Sequence, residues 1–309
     1  MQKNTKIFIA GVNGMVGSAL KRALNNRGYL NILAPTRSEI DFFDKNLVND
    51  YIKKNNPEYI LLAAARVGGI QANSLLKHEF LYENIEIQNN IILSAHSCGV
   101  NNLMFFGSSC VYPKNYDIPI KEENLLEGPL EETNEGYALA KICGIKLCNY
   151  LSESFHRNYF SVMPTNLYGT NDNFDPNSSH VIPGLLKKFH HAKINNEKVS
   201  IWGSGIARRE FLHVDDLAEA CIFLMENNYN YPIINIGTGD DILISELVDI
   251  IKDITNFNGI VEYDKSKSDG TLRKVLNINK IKELGWAPKR NFFNELKIIY
   301  GYAVQNKLI

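Results

Sequence analysis

Lys6-Ile7-Phe8-Ile9-Ala10-Gly11-Val12-Asn13-Gly14-Met15-Val16-Gly17 is the stretch whose reading decides the fold. Lys6–Ala10 has the short apolar run of a buried strand, and the residues after Gly14 take up helical spacing. Between the two lies a GxxGxxG turn. Gly11 permits a tight turn, Gly14 lets the backbone approach a pyrophosphate, and Gly17 allows the helix to lie against the strand. The N-terminus of that helix offers free N–H groups and the positive end of its dipole to phosphate oxygens. A strand before and a helix after favour a dinucleotide site over a tight turn that binds nothing.

Working outward, short β-rich runs alternate with longer helical patterns. Strands are predicted at Lys6–Ala10, Ile32–Pro35, Tyr59–Ala64, Asn102–Phe106 and Phe160–Pro164. Helices are predicted at Met15–Arg27, Leu47–Asn55, Leu76–Cys98 and Tyr137–Ser154. Strands separated by helices require parallel pairing with right-handed crossovers. The predicted class is therefore α/β, a Rossmann-type doubly wound parallel sheet. Beyond about residue 170 the rhythm changes: loops lengthen, as at Asn171–Ser179, and short strands mix with helices at Ile244–Ile254 and Asn291–Val304. The expected division is 1–170 for the dinucleotide domain and 171–309 for a smaller α/β substrate domain, with some chain crossing back to the sheet.

Composition narrows the function. The chain has 309 residues, 45% hydrophobic and 22% charged, the balance of an ordinary globular protein. Its 33 basic and 34 acidic residues give a net charge of −1, which argues against nucleic acid as a partner. No run reaches the roughly 18 apolar residues needed to span a membrane, and the N-terminus lacks the pattern of a signal peptide. The five cysteines, Cys98, Cys110, Cys143, Cys148 and Cys221, are an odd count without CxxC spacing, so neither a disulfide framework nor a metal site is expected. A cytoplasmic location is expected. All cysteines but Cys110 are assigned to packing, His190 and His191 to a solvated helix face, and His213 to a structural hydrogen bond.

The second strand ends at Ala34-Pro35-Thr36-Arg37, where an arginine in place of a carboxylate suits the 2′-phosphate of NADP. Farther on, Tyr137 and Lys141 form a YxxxK pair one helical turn apart on one face. An ammonium beside a phenol favours the phenolate and makes the tyrosine a usable acid/base. Gly107-Ser108-Ser109-Cys110-Val111-Tyr112-Pro113 follows the fourth predicted strand, at the end of the sheet where ligands bind, and brings the Ser108 hydroxyl toward the same place.

Glycine loop, Ser108, Tyr137 and Lys141 in this order resemble the extended short-chain dehydrogenase/reductase superfamily, which acts mainly on nucleotide sugars. Val67-Gly68-Gly69-Ile70, Gly107–Pro113, Met163–Gly169, Asp172-Asn173-Phe174, Ser179–Pro183, Trp202–Gly205, Arg209–Asp216, Asn235–Gly239, Asp269-Gly270-Thr271 and Leu284-Gly285-Trp286 resemble the GDP-L-fucose synthase family. The resemblance covers essentially the whole chain. It implies NADPH-dependent reduction of the C4 ketone of a GDP-4-keto sugar, coupled to epimerisation at C3 and C5. Cys110 and His180 match the family's acid/base pair for epimerisation, while Ser108, Tyr137 and Lys141 match its reductive set. By the same resemblance the cofactor is held by Gly11, Asn13, Gly14, Met15, Val16, Gly17, Arg37, Ala64, Lys141, Pro164, Asn166, Leu167 and His180. The GDP-sugar is expected against Ser109, Lys188, Trp202, Arg209, Asp269 and Lys274. The family is typically homodimeric through the helices near Leu81–Cys98 and Tyr137–Ser154.

Departures from the family pattern fall near the presumed sugar site. Asn13 stands for an arginine, Gly136 for a proline, Thr170-Asn171 for Pro-His, Lys188 for an arginine and Leu272 for a proline. They leave the sugar open, including a GDP-4-keto-heptose reduced at C4 after a separate epimerase. A redox-neutral epimerase or dehydratase is a further alternative, although Ser109-Cys110 supplies no acidic residue of the dehydratase kind. A non-catalytic cofactor sensor is disfavoured by the intact Tyr137–Lys141 pair.

Overall fold

The computed structural model describes every residue except Asp117, Asn177, Asn228 and Asn230. In chain order the elements of the first half are β1 (Lys6–Ala10), α1 (Met15–Asn26), β2 (Asn31–Leu33), α2 (Lys45–Asn55), β3 (Tyr59–Leu62), α3 (Ile70–Leu75), α4 (Lys77–Ser97), β4 (Asn102–Phe106), α5 (Glu135–Phe155), β5 (Asn158–Pro164) and β6 (Asn166–Tyr168). The second half supplies α6 (Val181–Asn195), β7 (Val199–Trp202), β8 (Arg208–Arg209), β9 (Phe211–His213), α7 (Val214–Glu226), β10 (Ile233–Ile236), β11 (Ile242–Leu243), α8 (Ile244–Thr255), β12 (Val261–Asp264), β13 (Arg273–Lys274), α9 (Asn279–Glu283) and α10 (Phe292–Gln305).

The main sheet has six strands in the order β2-β1-β3-β4-β5-β10, and every pairing is parallel. Beyond their first residues its central strands are apolar, with Ile7, Phe8, Ile60, Leu62, Leu103 and Phe105 inaccessible to solvent, as expected of strands covered on both faces. From β1 the chain steps outward to β2 and then returns across β1 to β3. The order therefore reverses between β1 and β3, which opens a crevice beyond their carboxyl ends. Helices α2, α4 and α5 pack beside one another, and α1 packs on α7.

The predicted second strand, Ile32–Pro35, is shorter and shifted to Asn31–Leu33, because Pro35 has no N–H to give a ladder. Strand β10 comes from the second half of the chain and pairs with β5 from Ile233↔Ser161 to Ile236↔Pro164, covering the outer edge of β5 as the last strand of the sheet. A second apolar cluster joins α6, α8 and α10 to β7, with Phe189 and Phe257 edge to face at 5.3 Å. Two small sheets stand beside it, β12-β7 and β11-β8-β13.

Candidate active site

The glycine turn joins the two strands at the switch point backbone to backbone. Gly11 has a φ of +95°, and a Cβ there would lie 2.7 Å from the Ala64 nitrogen and 2.8 Å from its Cα. At Gly17 a Cβ would fall on the Gly11 carbonyl, so the start of α1 lies directly against the end of β1. Helix α1 begins without a side-chain cap and without an acidic residue in its first turn. By contrast α2 is capped by Asp44, which accepts from the N–H groups of Asn46 and Leu47. The first-turn N–H groups of α1 are thus left for a ligand, and bare backbone around Gly14 gives it room. These residues fit the pyrophosphate of a dinucleotide.

Arg37 is exposed beyond β2 with its guanidinium 6.0 Å from the Phe43 ring. Two hydroxyls flank it, Thr36 Oγ1 and Ser38 Oγ, 2.9 Å apart. The nearby carboxylate of Glu39 is turned back on Thr36, accepting its N–H at 2.7 Å and its hydroxyl at 2.9 Å. Its charge is therefore engaged within its own turn, and Arg37 is free to meet an anion.

Beyond β4 the chain closes a single 3-10 turn over Ser109–Val111. Ser108 caps it, its Oγ accepting the Cys110 N–H at 3.2 Å. Opposite stands α5, which carries Tyr137 and Lys141. Phe80 of α4 meets the Tyr137 ring edge to face at 6.4 Å and fixes its plane. Burial holds the Tyr137 hydroxyl well above the usual phenol range; negative charge on Cys110 adds to this, and a hydrogen bond with Ser108 opposes it. The expected pull of Lys141 toward phenolate is outweighed, because the phenol is desolvated. Lys141 is only 2% exposed, donates to the Phe106 carbonyl at 2.8 Å, and is pulled down by burial to about 7. A buried neutral phenol is a proton donor held in reserve.

Two further groups complete the centre. Lys274 on β13 donates to Cys110 Sγ at 3.7 Å. Arg209 on β8 is held by the carbonyls of Arg208 at 2.8 Å and Asp269 at 3.1 Å. Strands β8 and β13 run parallel with Lys274 opposite Arg209, so their two cations share one register. Asp241 clamps these strands from behind, accepting from Arg208 Nε at 2.5 Å and Arg273 Nε at 2.6 Å. Charge on Tyr116, Asp269, Cys110 and Glu131 acts on Arg209, although burial is the larger effect and lowers its pKa.

His180 is the residue before α6 and follows the long loop from Gly169. That loop is tied to the segment after β3: Gly69 N–H donates to the Ser178 carbonyl at 2.9 Å, and the Ser179 carbonyl occupies the place of a Gly69 side chain. The His180 side chain is 43% exposed, yet its Nδ1 is buried 4.0 Å from Asp172 Oδ1. Burial lowers its pKa.

The remaining predicted contacts are placed unevenly. Trp202 is 52% exposed at the end of β7, with Lys267 Nζ 5.8 Å from its ring. Lys188 donates to the Ser200 carbonyl at 2.7 Å, so its ammonium is committed to β7. The Asp269 carboxylate is also committed, accepting from Ser204 N and Ser204 Oγ at 2.8 Å each. Ser109 is 2% exposed, and its hydroxyl does not face the surface. Pro164 ends β5, and Asn166 and Leu167 follow on β6, where Asn166 donates to the Glu210 carbonyl at 2.9 Å. Asn13 is exposed at the glycine turn, whereas Met15 and Val16 are half-buried and pack against the core.

Sequence reasoning missed three residues here. Glu131 lies 3.4 Å from both Lys114 Nζ and Thr271 Oγ1. Glu210, inaccessible to solvent, accepts from the N–H groups of Thr238 at 2.6 Å, Gly239 at 2.8 Å and Leu276 at 2.9 Å. Glu210 and Asp172 were visible only as parts of family motifs. Two smaller expectations need correcting. Cys143 is exposed rather than packed in the core, and His190 is not simply solvated, since its Nδ1 is 2.9 Å from the Tyr300 hydroxyl.

The profile of the NAD dependent epimerase/dehydratase family matches residues 7–237. The chain is 45% identical to the GDP-L-fucose synthase of Escherichia coli K12 over 98% of this chain and 97% of that one. Among solved structures, a GDP-6-OMe-4-keto-L-xylo-heptose reductase from C. jejuni superposes with a TM-score of 0.93 at 35% identity, covering 99% of each chain. A GDP-mannoheptose C4 reductase from Campylobacter jejuni, solved with NADP bound, gives 0.88 at 35% identity over 98% of this chain and 99% of that one. The chain belongs to the NAD dependent epimerase/dehydratase family of extended short-chain dehydrogenases/reductases, and within it to the GDP-L-fucose synthases.

Proposed function

We propose that the protein reduces the C4 ketone of a GDP-4-keto sugar with NADPH and, before reduction, epimerises C3 and C5. The observation that carries this reading is the single turn Ser108–Cys110, which sets a hydroxyl that can hold the C4 oxygen beside a thiol that can move a proton at a neighbouring carbon. NADPH, when bound, supplies the hydride to C4. Gly11, Gly14 and Gly17 with the N-terminus of α1 would hold its pyrophosphate, and Arg37 with Thr36 and Ser38 suits its 2′-phosphate.

The C4 carbonyl acidifies the protons on C3 and C5. Cys110 and His180 exchange them, one removing a proton and the other returning one to the opposite face. The Lys274 ammonium donates to Cys110 Sγ at 3.7 Å and holds the thiol in place beside the sugar carbon. In the reductive step the Tyr137 hydroxyl gives its proton to the C4 oxygen, while Ser108 donates a hydrogen bond to the same oxygen. Lys141 anchors beneath the tyrosine and supports the nicotinamide ribose. Arg209 and Lys274 offer paired cations to the GDP diphosphate, and exposed Trp202 offers an aromatic face.

In this reading residues 1–170 form the cofactor part and 171–309 mainly the substrate part. The protein works in the cytoplasm, where the thiols of all five cysteines stay unpaired. It pairs with a second copy through α4 and α5, whose outer faces expose Tyr82, Leu93, Leu139 and Tyr150.

The test is NADPH with GDP-4-keto-6-deoxymannose in D₂O, followed at 340 nm with NMR of the product. Oxidation with deuterium at C3 and C5 is expected. Oxidation without deuterium would make the protein a C4 reductase only, the reading that the 0.93 superposition on a heptose reductase favours. No oxidation would discard the 6-deoxyhexose as substrate.

A further inference from the structure

The loop between β6 and α6 brings two buried side chains together, each with a polar atom that has no hydrogen-bond partner among the described residues. Asp172 has a side chain only 4% exposed, and its Oδ1 lies 4.0 Å from His180 Nδ1. Among the described residues, neither His180 Nδ1 nor Asp172 Oδ2 has a hydrogen-bond partner. Unsatisfied buried groups of this kind are costly, and a side-chain rotation that brings the Asp172 carboxylate onto His180 Nδ1 would satisfy both.

The separation is set by the loop. Asn173 N–H donates to Asp172 Oδ1 at 2.8 Å, and Asp175 N–H donates to Asn173 Oδ1 at 2.9 Å. The Ser178 hydroxyl bridges Asn173 Nδ2 at 2.8 Å and Asp175 Oδ2 at 2.7 Å. Ser179 N–H closes on the Asp175 carbonyl at 2.8 Å. With Gly69 N–H holding the Ser178 carbonyl as well, neither residue of the pair is on a free strand of chain.

We propose that Asp172 is the positioning residue of His180: its carboxylate accepts a hydrogen bond from Nδ1–H, and the exposed Nε2 edge is thereby left to handle the proton of the sugar carbon. Neutral imidazole in water prefers its proton on Nε2, so a buried acceptor at Nδ1 reverses the tautomer. Burial pushes the Asp172 carboxyl up to about 7 and His180 below its ordinary value, so above pH 7 the pair is a carboxylate beside a neutral imidazole. The inference deepens the proposed epimerisation and rests on it. It leaves the reductive set of Ser108, Tyr137 and Lys141 untouched.

The experiment uses the full-length protein and its Asp172→Asn and Asp172→Ala variants. Deuterium uptake at C3 and C5 of GDP-4-keto-6-deoxymannose is compared with C4 oxidation of GDP-L-fucose by NADP⁺, which requires no proton transfer at C3 or C5. Both variants are expected to lose about tenfold or more in deuterium uptake, the order a charged hydrogen bond contributes, with C4 oxidation near wild type. In ¹⁵N-histidine spectra at pH 8, the His180 proton is expected on Nδ1 in the wild type and on Nε2 in Asp172→Ala. Wild-type uptake in both variants, equal losses in both reactions, or an unchanged tautomer would overturn the assignment of Asp172. Absence of uptake in the wild type itself would instead overturn the epimerase reading on which it rests.

Discussion

The main-chain carbonyl of Lys77, at the start of α4, occupies the place where a side chain at Gly136 would begin. Gly136 precedes Tyr137 directly, so the approach of α4 to α5 sets the height of the proposed proton donor over the sheet. This close approach is the physical reason that glycine suits the position.

Gly136→Ala is accordingly expected to push α4 and α5 apart. An added methyl that meets backbone rather than a flexible side chain costs about 1–3 kcal/mol. Denaturant unfolding should show that loss, and C4 reduction should fall with it. A variant of wild-type stability would mean that α4 shifts freely.

Tyr137→Phe keeps the ring against Phe80 and removes only the hydroxyl. Reduction should fall by about a thousandfold, the usual range for loss of a general acid. NADPH affinity by fluorescence titration should be unchanged. Reduction near the wild-type rate would exclude the tyrosine as the donor.

Lys141 ties stability to pH. Its folded-state pKa of about 7 lies below that of a free lysine, so the unfolded chain holds the extra proton above pH 7. The burial penalty is whole below about pH 7 and is relieved as pH rises. Lys141→Met removes it altogether, so its stability relative to wild type should be highest at pH 6. That advantage should shrink by about 2 kcal/mol between pH 7 and pH 9. Unfolding of the apo-protein across this range is the measurement, and a pH-independent difference would mean that the ammonium is solvated.

Arg37→Ala should raise the KM for NADPH about tenfold, the order of one charged contact to phosphate, and leave that for NADH nearly unchanged. An equal rise for both would place Arg37 outside the 2′-phosphate site.

Local features were legible in the sequence, and the reason is geometric. Gly11, Gly14 and Gly17 act within one turn, and Tyr137 and Lys141 share one helix face, so spacing alone shows their relationship. His213 was likewise read correctly as a structural group: its Nδ1 accepts the Asp215 N–H at 3.2 Å. Long-range partners were not legible. Lys274 reaches Cys110 across 164 positions, and spacing carries no information at that range. The commitment of Asp269 to Ser204, and of Lys188 to the β7 carbonyl, depends on how the small sheets lie over α6. The effect of burial on Tyr137 opposes what the Lys141 neighbour predicts, because a helix face seen in sequence shows which residues are adjacent but not how dry they are.

Strand β10 gives the molecule an order of assembly. While the chain is being made, the ribosome must pass Ile236 before the outer edge of β5 can be covered. Until then the nascent sheet carries an open row of main-chain donors and acceptors, the kind of edge on which chains stick to one another. A fragment released at residue 170 would keep that edge permanently, so expression of the glycine-loop half alone should yield aggregates. Genetic fusions are better joined at the ends of the whole chain than at the apparent midpoint.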